Sequence, residues 1–271
     1  MAHDSITLFH LSDIHFGCED AAALRWVERC IAEERPDAVA ITGDLTMRAR
    51  SGELRAACDW INALDVPVTV EIGNHDLPHY YLIERYRDPY RRFRAIASLI
   101  EREIDFPDLA IVPLNTAPCA QWRLNWSKGC VTRPALEQTL AAIDALPDGT
   151  RVLVTAHHPL VEVGTDGTAL TRRGGEALEE LARRKVLAVL SGHVHDPFDL
   201  AEQTQEGPVR MIGAGTLSRR LRTTPPSFNE IRISGASVEV IARNREHFAT
   251  PEMQVAEVPA DAEPPDEPPR H

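Results

Sequence analysis

Five short polar steps carry residues that can ligate metals or move protons. They are Asp13-Ile14-His15, Gly43-Asp44, Gly73-Asn74-His75-Asp76, His157-His158-Pro159 and Gly192-His193-Val194-His195. Together they offer hard carboxylate oxygen, one amide oxygen and several imidazoles, a mixture that suits Mn, Fe, Zn or Ni better than Ca or Mg. In extended chain the side chains alternate, so D-x-H and H-x-H would each turn two donors to the same face. Asp44, a lone carboxylate after glycine, is free to bridge two ions. Two ions about 3.5–4 Å apart clamp a phosphate and turn a bridging water into hydroxide at neutral pH. A single D-x-H or H-x-H is common surface sequence, but all five steps in this order read as a dinuclear metal site. His157 and His158 would point to opposite faces of extended chain, so the residues alone leave open which of them is a ligand.

The steps need elements to position them, and each follows a short apolar run. Residues 7–11, 38–42, 68–72, 110–114, 152–155 and 186–190 read as strands. Between them, residues 21–34, 52–63 and 134–146 carry apolar side chains at helical spacing, as in Leu54, Ala57, Cys58 and Ile61. Strand–helix alternation predicts an α/β core of largely parallel strands, whose sites form beyond the carboxyl ends of the strands. Later runs at 209–212, 228–233 and 237–241 are strand-like, the last two forming a hairpin across Ser234-Gly235-Ala236. They imply a second sheet or an antiparallel extension. Residues 80–105 are arginine-rich and helical in pattern, and read as a small helical cap inserted between core strands. Residues 251–271 hold six prolines and six acids against one arginine, so they are expected to be a disordered acidic tail. One domain over residues 1–250 remains.

Composition narrows the partners. The chain has 29 basic and 41 acidic residues, a net charge of −12, which argues against general nucleic-acid binding. Cys18, Cys30, Cys58, Cys119 and Cys130 are odd in number and form no C-x-x-C pair, as expected in a reducing compartment. The start lacks a basic region followed by a long apolar stretch, and no apolar run approaches the ~20 residues needed to span a bilayer. A soluble, cytoplasmic protein without membrane partners is expected. His10 falls out of phase with Asp13 and reads as core or solvated, and His3, His79, His247 and His271 lack a supporting cluster. Arg85, Arg87, Arg91, Arg92 and Arg94 read as a solvated helix face. Arg219, Arg220 and Arg222 follow Gly213-Ala214-Gly215-Thr216, where one of them could reach a phosphate bidentately, although nothing in the sequence selects it. Trp122 and Trp126 read as core.

The ordered set D-x-H, G-D, G-N-H-[DE], H and G-H-x-H resembles the calcineurin-like metallophosphoesterase superfamily. Gly43-Asp44-Leu45-Thr46 and Asn115-Thr116 resemble its cyclic-nucleotide phosphodiesterase and glycerophosphodiesterase branch. The resemblance covers residues 6–245 and implies a four-layer αββα sandwich of two mixed β-sheets with the metals at one edge. It implies two divalent metal ions per chain (Mn, Fe or Zn). Asp13, His15 and His195 would hold the first, Asn74, His157 and His193 the second, and Asp44 would bridge them. By the same resemblance His157, the first residue of the His-His-Pro step, is the ligand and His158 part of the pocket wall. His75 is implied as the catalytic group that protonates the leaving oxygen, with Asp76 orienting it. The partner carboxylate of the phosphoprotein phosphatase branch, three residues after the bridging aspartate, is replaced here by Met47. The expected activity is hydrolysis of a small phosphodiester, a cyclic nucleotide or glycerophosphodiester, by attack of metal-bridging hydroxide. A phosphomonoesterase, a nuclease and a non-catalytic scaffold follow in that order. The branch often forms dimers, which admits a homo-oligomer, although no apolar stripe in the sequence demands one.

Overall fold

A computed structural model describes residues 5–78, 87–100, 104–118, 127–168 and 171–245. Sheet one has the order β10-β9-β1-β2-β3, built from β1 (Ile6–Leu11), β2 (Ala38–Ile41), β3 (Val68–Val70), β9 (Ser227–Ser234) and β10 (Ser237–Asn244). Sheet two has the order β4-β5-β6-β8-β7, built from β4 (Leu109–Pro113), β5 (Arg151–Thr155), β6 (Ala188–Ser191), β7 (Phe198–Thr204) and β8 (Gly207–Gly213). β1, β2 and β3 are parallel, as are β4, β5, β6 and β8. β9 and β10 extend sheet one antiparallel, and β7 extends sheet two antiparallel. Both sheets are therefore mixed.

The layering follows from side chains alternating across strands that are buried on both faces. In β1, Ile6 and Leu8 join Ala38 and Ala40 of β2 in a core between the sheets, with Leu153, Ala188, Leu190 and Ile212 opposite. Phe9, Leu11, Val39 and Ile41 turn the other way, onto α1 (Ala21–Glu34), α2 (Ser51–Ala63) and α3 (Arg91–Ile100). Val152, Val154, Val189 and Met211 pack instead against α4 (Arg133–Asp144) and α5 (Gly174–Arg183). The result is helix, sheet, sheet, helix. Local signals set the ends: the Asp20 carboxylate caps α1 by accepting from the Ala22 and Ala23 amides, and the Thr132 hydroxyl caps α4.

The late runs at 228–233 and 237–241 resolve into an antiparallel extension of sheet one, whereas the run at 209–212 becomes β8, a parallel strand of sheet two, which already begins at β4. Two elements escape the sequence pattern. α5 opens on Gly174-Gly175, and β7 alternates half-buried with exposed residues rather than carrying an apolar run. Within the expected cap, α3 buries Phe93, Ile96 and Ile100 in the core under sheet one, while residues 79–86 and 101–103 lie outside the described residues. The acidic tail, His3, His79, Arg85, Cys119, Trp122, Trp126, His247 and His271 also lie outside them. Cys18, Cys30, Cys58 and Cys130 are free thiols. No helix among the described residues is long and apolar enough to cross a membrane.

Candidate metal centre

All five steps leave the carboxyl ends of parallel strands. Asp13 and His15 follow β1, Asp44 follows β2, and the residues 73–76 follow β3 from sheet one. His157 and His158 follow β5, and His193 and His195 follow β6, from sheet two. The expectation that D-x-H and H-x-H aim their side chains through extended backbone is corrected. Asp13, His15, Asp44, His193 and His195 have φ of 53°, 52°, 53°, 68° and 65°, in the left-handed region. Turning the chain this way buries Ile14 and Val194 between the paired donors and still brings those donors together.

Asp13 Oδ1 lies 3.0 Å from His195 Nε2 and 3.5 Å from His15 Nε2, and the two imidazole nitrogens are 3.3 Å apart. The other oxygen, Oδ2, is held by the Ser12 hydroxyl and the His193 amide, both at 2.7 Å. A second group lies beside the first. His157 Nε2 is 3.2 Å from Asn74 Oδ1, and the ligand atoms of His157 and His193 lie within 4.8 Å of each other. Asp44 stands between the groups, with Oδ2 3.4 Å from His157 Nε2 and 3.7 Å from His15 Nε2. Its Oδ1 accepts the His75 amide at 2.8 Å.

These atoms fit a pair of cations. Donors about 2.0–2.2 Å from one ion sit roughly 3.0–3.6 Å apart, the spacing seen here. Asp13 Oδ1 is fully buried without a hydrogen-bond partner, an unusual state for a carboxylate oxygen unless a cation faces it. The imidazoles are oriented for ligation. Nδ1 of His15, His157 and His195 donates to the carbonyls of Thr46, Thr42 and Arg220, at 3.4, 2.8 and 2.6 Å, so each Nε2 lone pair faces the site. His158 is different. Its Nδ1 accepts from Thr116 Oγ1 and its Nε2–H donates to the Ser127 carbonyl, both at 3.0 Å, which spends both ring nitrogens. The ligand atoms of His157, His158 and His193 all lie within 4.8 Å of one another, but both His158 ring nitrogens have hydrogen-bond partners, whereas His157 Nε2 faces Asn74 and Asp44. Asn115 accepts the Ala117 amide, leaving Thr116 beside His158.

The glycines answer to close approach. A Cβ on Gly73 would overlap the backbone and carboxylate of Asp44, and one on Gly192 would overlap the Ser12 hydroxyl.

The electrostatics are those of buried carboxylates set among imidazoles. Burial alone would raise Asp13 and Asp44, but the adjacent imidazoles hold both below the usual carboxylate range. Burial would lower His157, yet the Asp44 carboxylate pushes it up to about 10, and Asp13 likewise raises His195. Burial, joined by charge on His157, pushes His193 down to about 3. Ligation requires these protons to leave.

His75 lines the site, but its ring is not held by Asp76. Its Nδ1–H donates to the Met47 carbonyl at 2.7 Å, so Asp76 does not orient the ring. Asp76 instead accepts from the Leu45, Thr46 and Gly73 amides and the Thr46 hydroxyl, tying the loop after β2 to the loop after β3. Burial and the Asp44 carboxylate raise it to about 6 against those donors. A pocket of about 230 Å³ opens over Asp44, Asn74, His75 and His195. Its walls include Ser127, Lys128 and Thr168 on one side and Arg220 and Arg222 on another. Among these, only the two arginines were noticed from sequence. The Lys128 wall lies beyond any strand and had no motif to reveal it.

Comparison with known proteins gives the family and the fold. The description Calcineurin-like phosphoesterase matches residues 6–197. A probable glycerophosphodiester phosphodiesterase GpdQ of Arcobacter nitrofigilis is 30% identical over 165 residues, 59% of this chain and 57% of that protein. A probable cyclic nucleotide phosphodiesterase of Synechococcus is 27% identical over 225 residues, 73% of this chain and 77% of that protein. The chain thus spans little more than half the length of the first relative. A dimetal phosphatase from Danio rerio superposes with a TM-score of 0.59 at 15% identity, over 88% of this chain and 98% of that one. A purple acid phosphatase from yellow lupin seeds superposes with a TM-score of 0.61 at 12% identity, over 89% and 52%. An anchor of the Plasmodium inner membrane complex superposes with a TM-score of 0.57 at 11% identity, over 89% and 84%. At these identities the structural likeness shows the fold alone.

Proposed function

This chain belongs to the calcineurin-like phosphoesterase family, and from that premise we propose that it is a dinuclear-metal-dependent phosphoester hydrolase, specifically a phosphodiesterase of small molecules. The observation that carries the reading is one carboxylate oxygen, Asp44 Oδ2, shared between two clusters of buried ligand atoms at 3.4 and 3.7 Å. Asp13, His15 and His195 would hold one ion and Asn74, His157 and His193 the other, with Asp44 common to both. When bound, the ions supply Lewis acidity to the phosphate oxygens and acidify a water near neutral pH.

The chain's own residues do the rest. The left-handed turns fix the donors before any ion arrives, so little reorganisation accompanies binding. His75, with Nδ1–H anchored on Met47, presents Nε2 to the pocket and is the group that hands a proton to the departing ester oxygen. Asp76 acts at one remove, by holding together the loops that carry Asp44, Asn74 and His75.

The preference for small diesters rests on the names of the two relatives, which are called glycerophosphodiester and cyclic nucleotide phosphodiesterases. A pocket of about 230 Å³ suits a compact ester, and a net charge of −12 opposes a polyanionic chain. Free thiols and the lack of a membrane-spanning helix among the described residues are compatible with a cytoplasmic enzyme.

The test strips the protein of metal, reconstitutes it with Mn, and compares hydrolysis of an aryl phosphodiester with that of its monoester. The reading expects faster cleavage of the diester, abolished by chelator. Turnover of the monoester alone would make this a phosphatase. No turnover of either would favour a scaffold role, which the fold also supports.

A further inference from the structure

We propose that Arg220 is a substrate-binding residue, a guanidinium that grips the phosphoryl oxygens over the metal centre, and that Asp196 is the positioning residue that holds its loop in place. The inference rests on the reading of the site as a phosphoester hydrolase.

Arg220 sits in the segment after β8, and its Nη1 lies 3.1 Å from His75 Nε2 and 3.3 Å from His15 Nε2. One guanidinium nitrogen thus faces both the group assigned to protonate the leaving oxygen and a candidate metal ligand. A phosphate bound to an ion on His15 and reached by His75 would lie within that guanidinium's reach. Arginine suits the place because its planar fork matches two phosphate oxygens at once.

The loop is built to hold this position. Asp196, the residue after His195, is buried, and its Oδ1 accepts from the amides of Thr223 and Thr224 and from both their hydroxyls, at 2.7–3.2 Å. On the other side, the Arg220 amide donates to Ser218 Oγ at 3.2 Å, and Ser218 Oγ lies 2.7 Å from Thr216 Oγ1. Thr216 Oγ1 in turn donates to the Asp13 carbonyl at 2.7 Å. The Arg220 carbonyl takes the His195 Nδ1–H at 2.6 Å. The same residue therefore orients a candidate ligand with its backbone and faces the reacting position with its side chain. Arg219 is exposed, and Arg222 is exposed at the pocket wall, so what selects Arg220 is its contact with His15 and His75, which the sequence does not display.

The test uses full-length protein loaded with Mn, with bound metal counted per chain, and titrates inorganic phosphate by calorimetry beside steady-state kinetics on the aryl diester. Arg220→Met is expected to keep the wild-type metal content and to bind phosphate about 10- to 100-fold more weakly, with kcat/KM falling in step. Arg220→Lys should recover part of both, and Arg219→Met should match the wild type. Asp196→Asn should weaken phosphate binding less than Arg220→Met, and the double variant should be no worse than Arg220→Met alone, since Asp196 acts through the arginine. Additive losses would overturn the positioning role. Wild-type phosphate affinity in Arg220→Met, or a change confined to metal affinity, would show that the guanidinium only hydrogen-bonds the His15 and His75 rings, and would overturn the proposal. Because phosphate binding needs no turnover, this result is read independently of whether the diester is a substrate.

Discussion

Asp13, His15, Asp44, His193 and His195 adopt left-handed backbone that costs a non-glycine residue on the order of 1–2 kcal/mol each. What holds them there comes largely from neighbours without ligand chemistry, and Ser12 is the clearest case. With Ser12→Ala, Asp13 Oδ2 keeps, among the described residues, the His193 amide alone, and metal affinity should fall about tenfold or more, read by competition with a chelating dye. Unchanged affinity would mean that Ser12 does not orient Asp13. His10, which is not itself a candidate ligand, gives a pH-dependent prediction. It is buried between Thr42 Oγ1 at 3.0 Å and Asn229 Nδ2 at 3.4 Å, and burial lowers it to about 3. The folded state therefore refuses a proton that the unfolded chain takes up near pH 6.5, so this contribution to stability is intact above pH 6.5 and is lost as pH falls toward 3. Relative to His10→Gln, the wild type should lose about 1.4 kcal/mol per pH unit in that window, measured by urea unfolding at several pH values. Parallel curves would contradict it.

Among the elements, the hairpin of β9 and β10 is fastened to α1 by charge. Arg243 donates to Glu34 at 2.8 and 3.0 Å and to the buried Glu230 at 2.6 Å, and its guanidinium lies 5.7 Å from the centre of the Phe228 ring. Arg243→Met should cost about 2 kcal/mol in urea unfolding, with the metal site intact, because the buried Glu230 loses one of its two arginine partners among the described residues. A loss below a few tenths of a kcal/mol would show the pair to be ornamental. The elements were legible where packing leaves a periodic mark. The apolar runs of β1, β2, β5 and β6 are buried on both faces, and α1 buries the apolar stripe read at helical spacing. α5 and β7 were not legible, since a glycine pair hides the start of one and an edge position makes the other polar. The donor groupings were implied by the resemblance to the family, and neither it nor the spacing revealed the backbone that delivers them. Left-handed turns at D-x-H and H-x-H are stabilised by contacts such as the Asp13 amide on the Gly43 carbonyl, which join residues far apart in sequence. Asp76 shows the same limit, its carboxylate claimed by amides of two loops rather than by the adjacent His75.

Across the whole molecule, each candidate ion draws ligands from both sheets: Asp13 and His15 with His195, and Asn74 with His157 and His193. Hydrogen bonds already cross the same edge, from His157 Nδ1 to the Thr42 carbonyl at 2.8 Å and from Thr216 Oγ1 to the Asp13 carbonyl at 2.7 Å. The sandwich thus assembles a single site from loops that neither sheet could complete alone, and Asp44 couples its halves. That coupling is the central claim. The most direct measurement titrates Mn into metal-stripped protein while counting bound ions and following hydrolysis of an aryl phosphodiester. The account predicts saturation at two ions per chain, with turnover appearing as the second binds and lost in Asp44→Asn. Full activity with one ion per chain, or two bound ions with no turnover of any phosphoester, would contradict it.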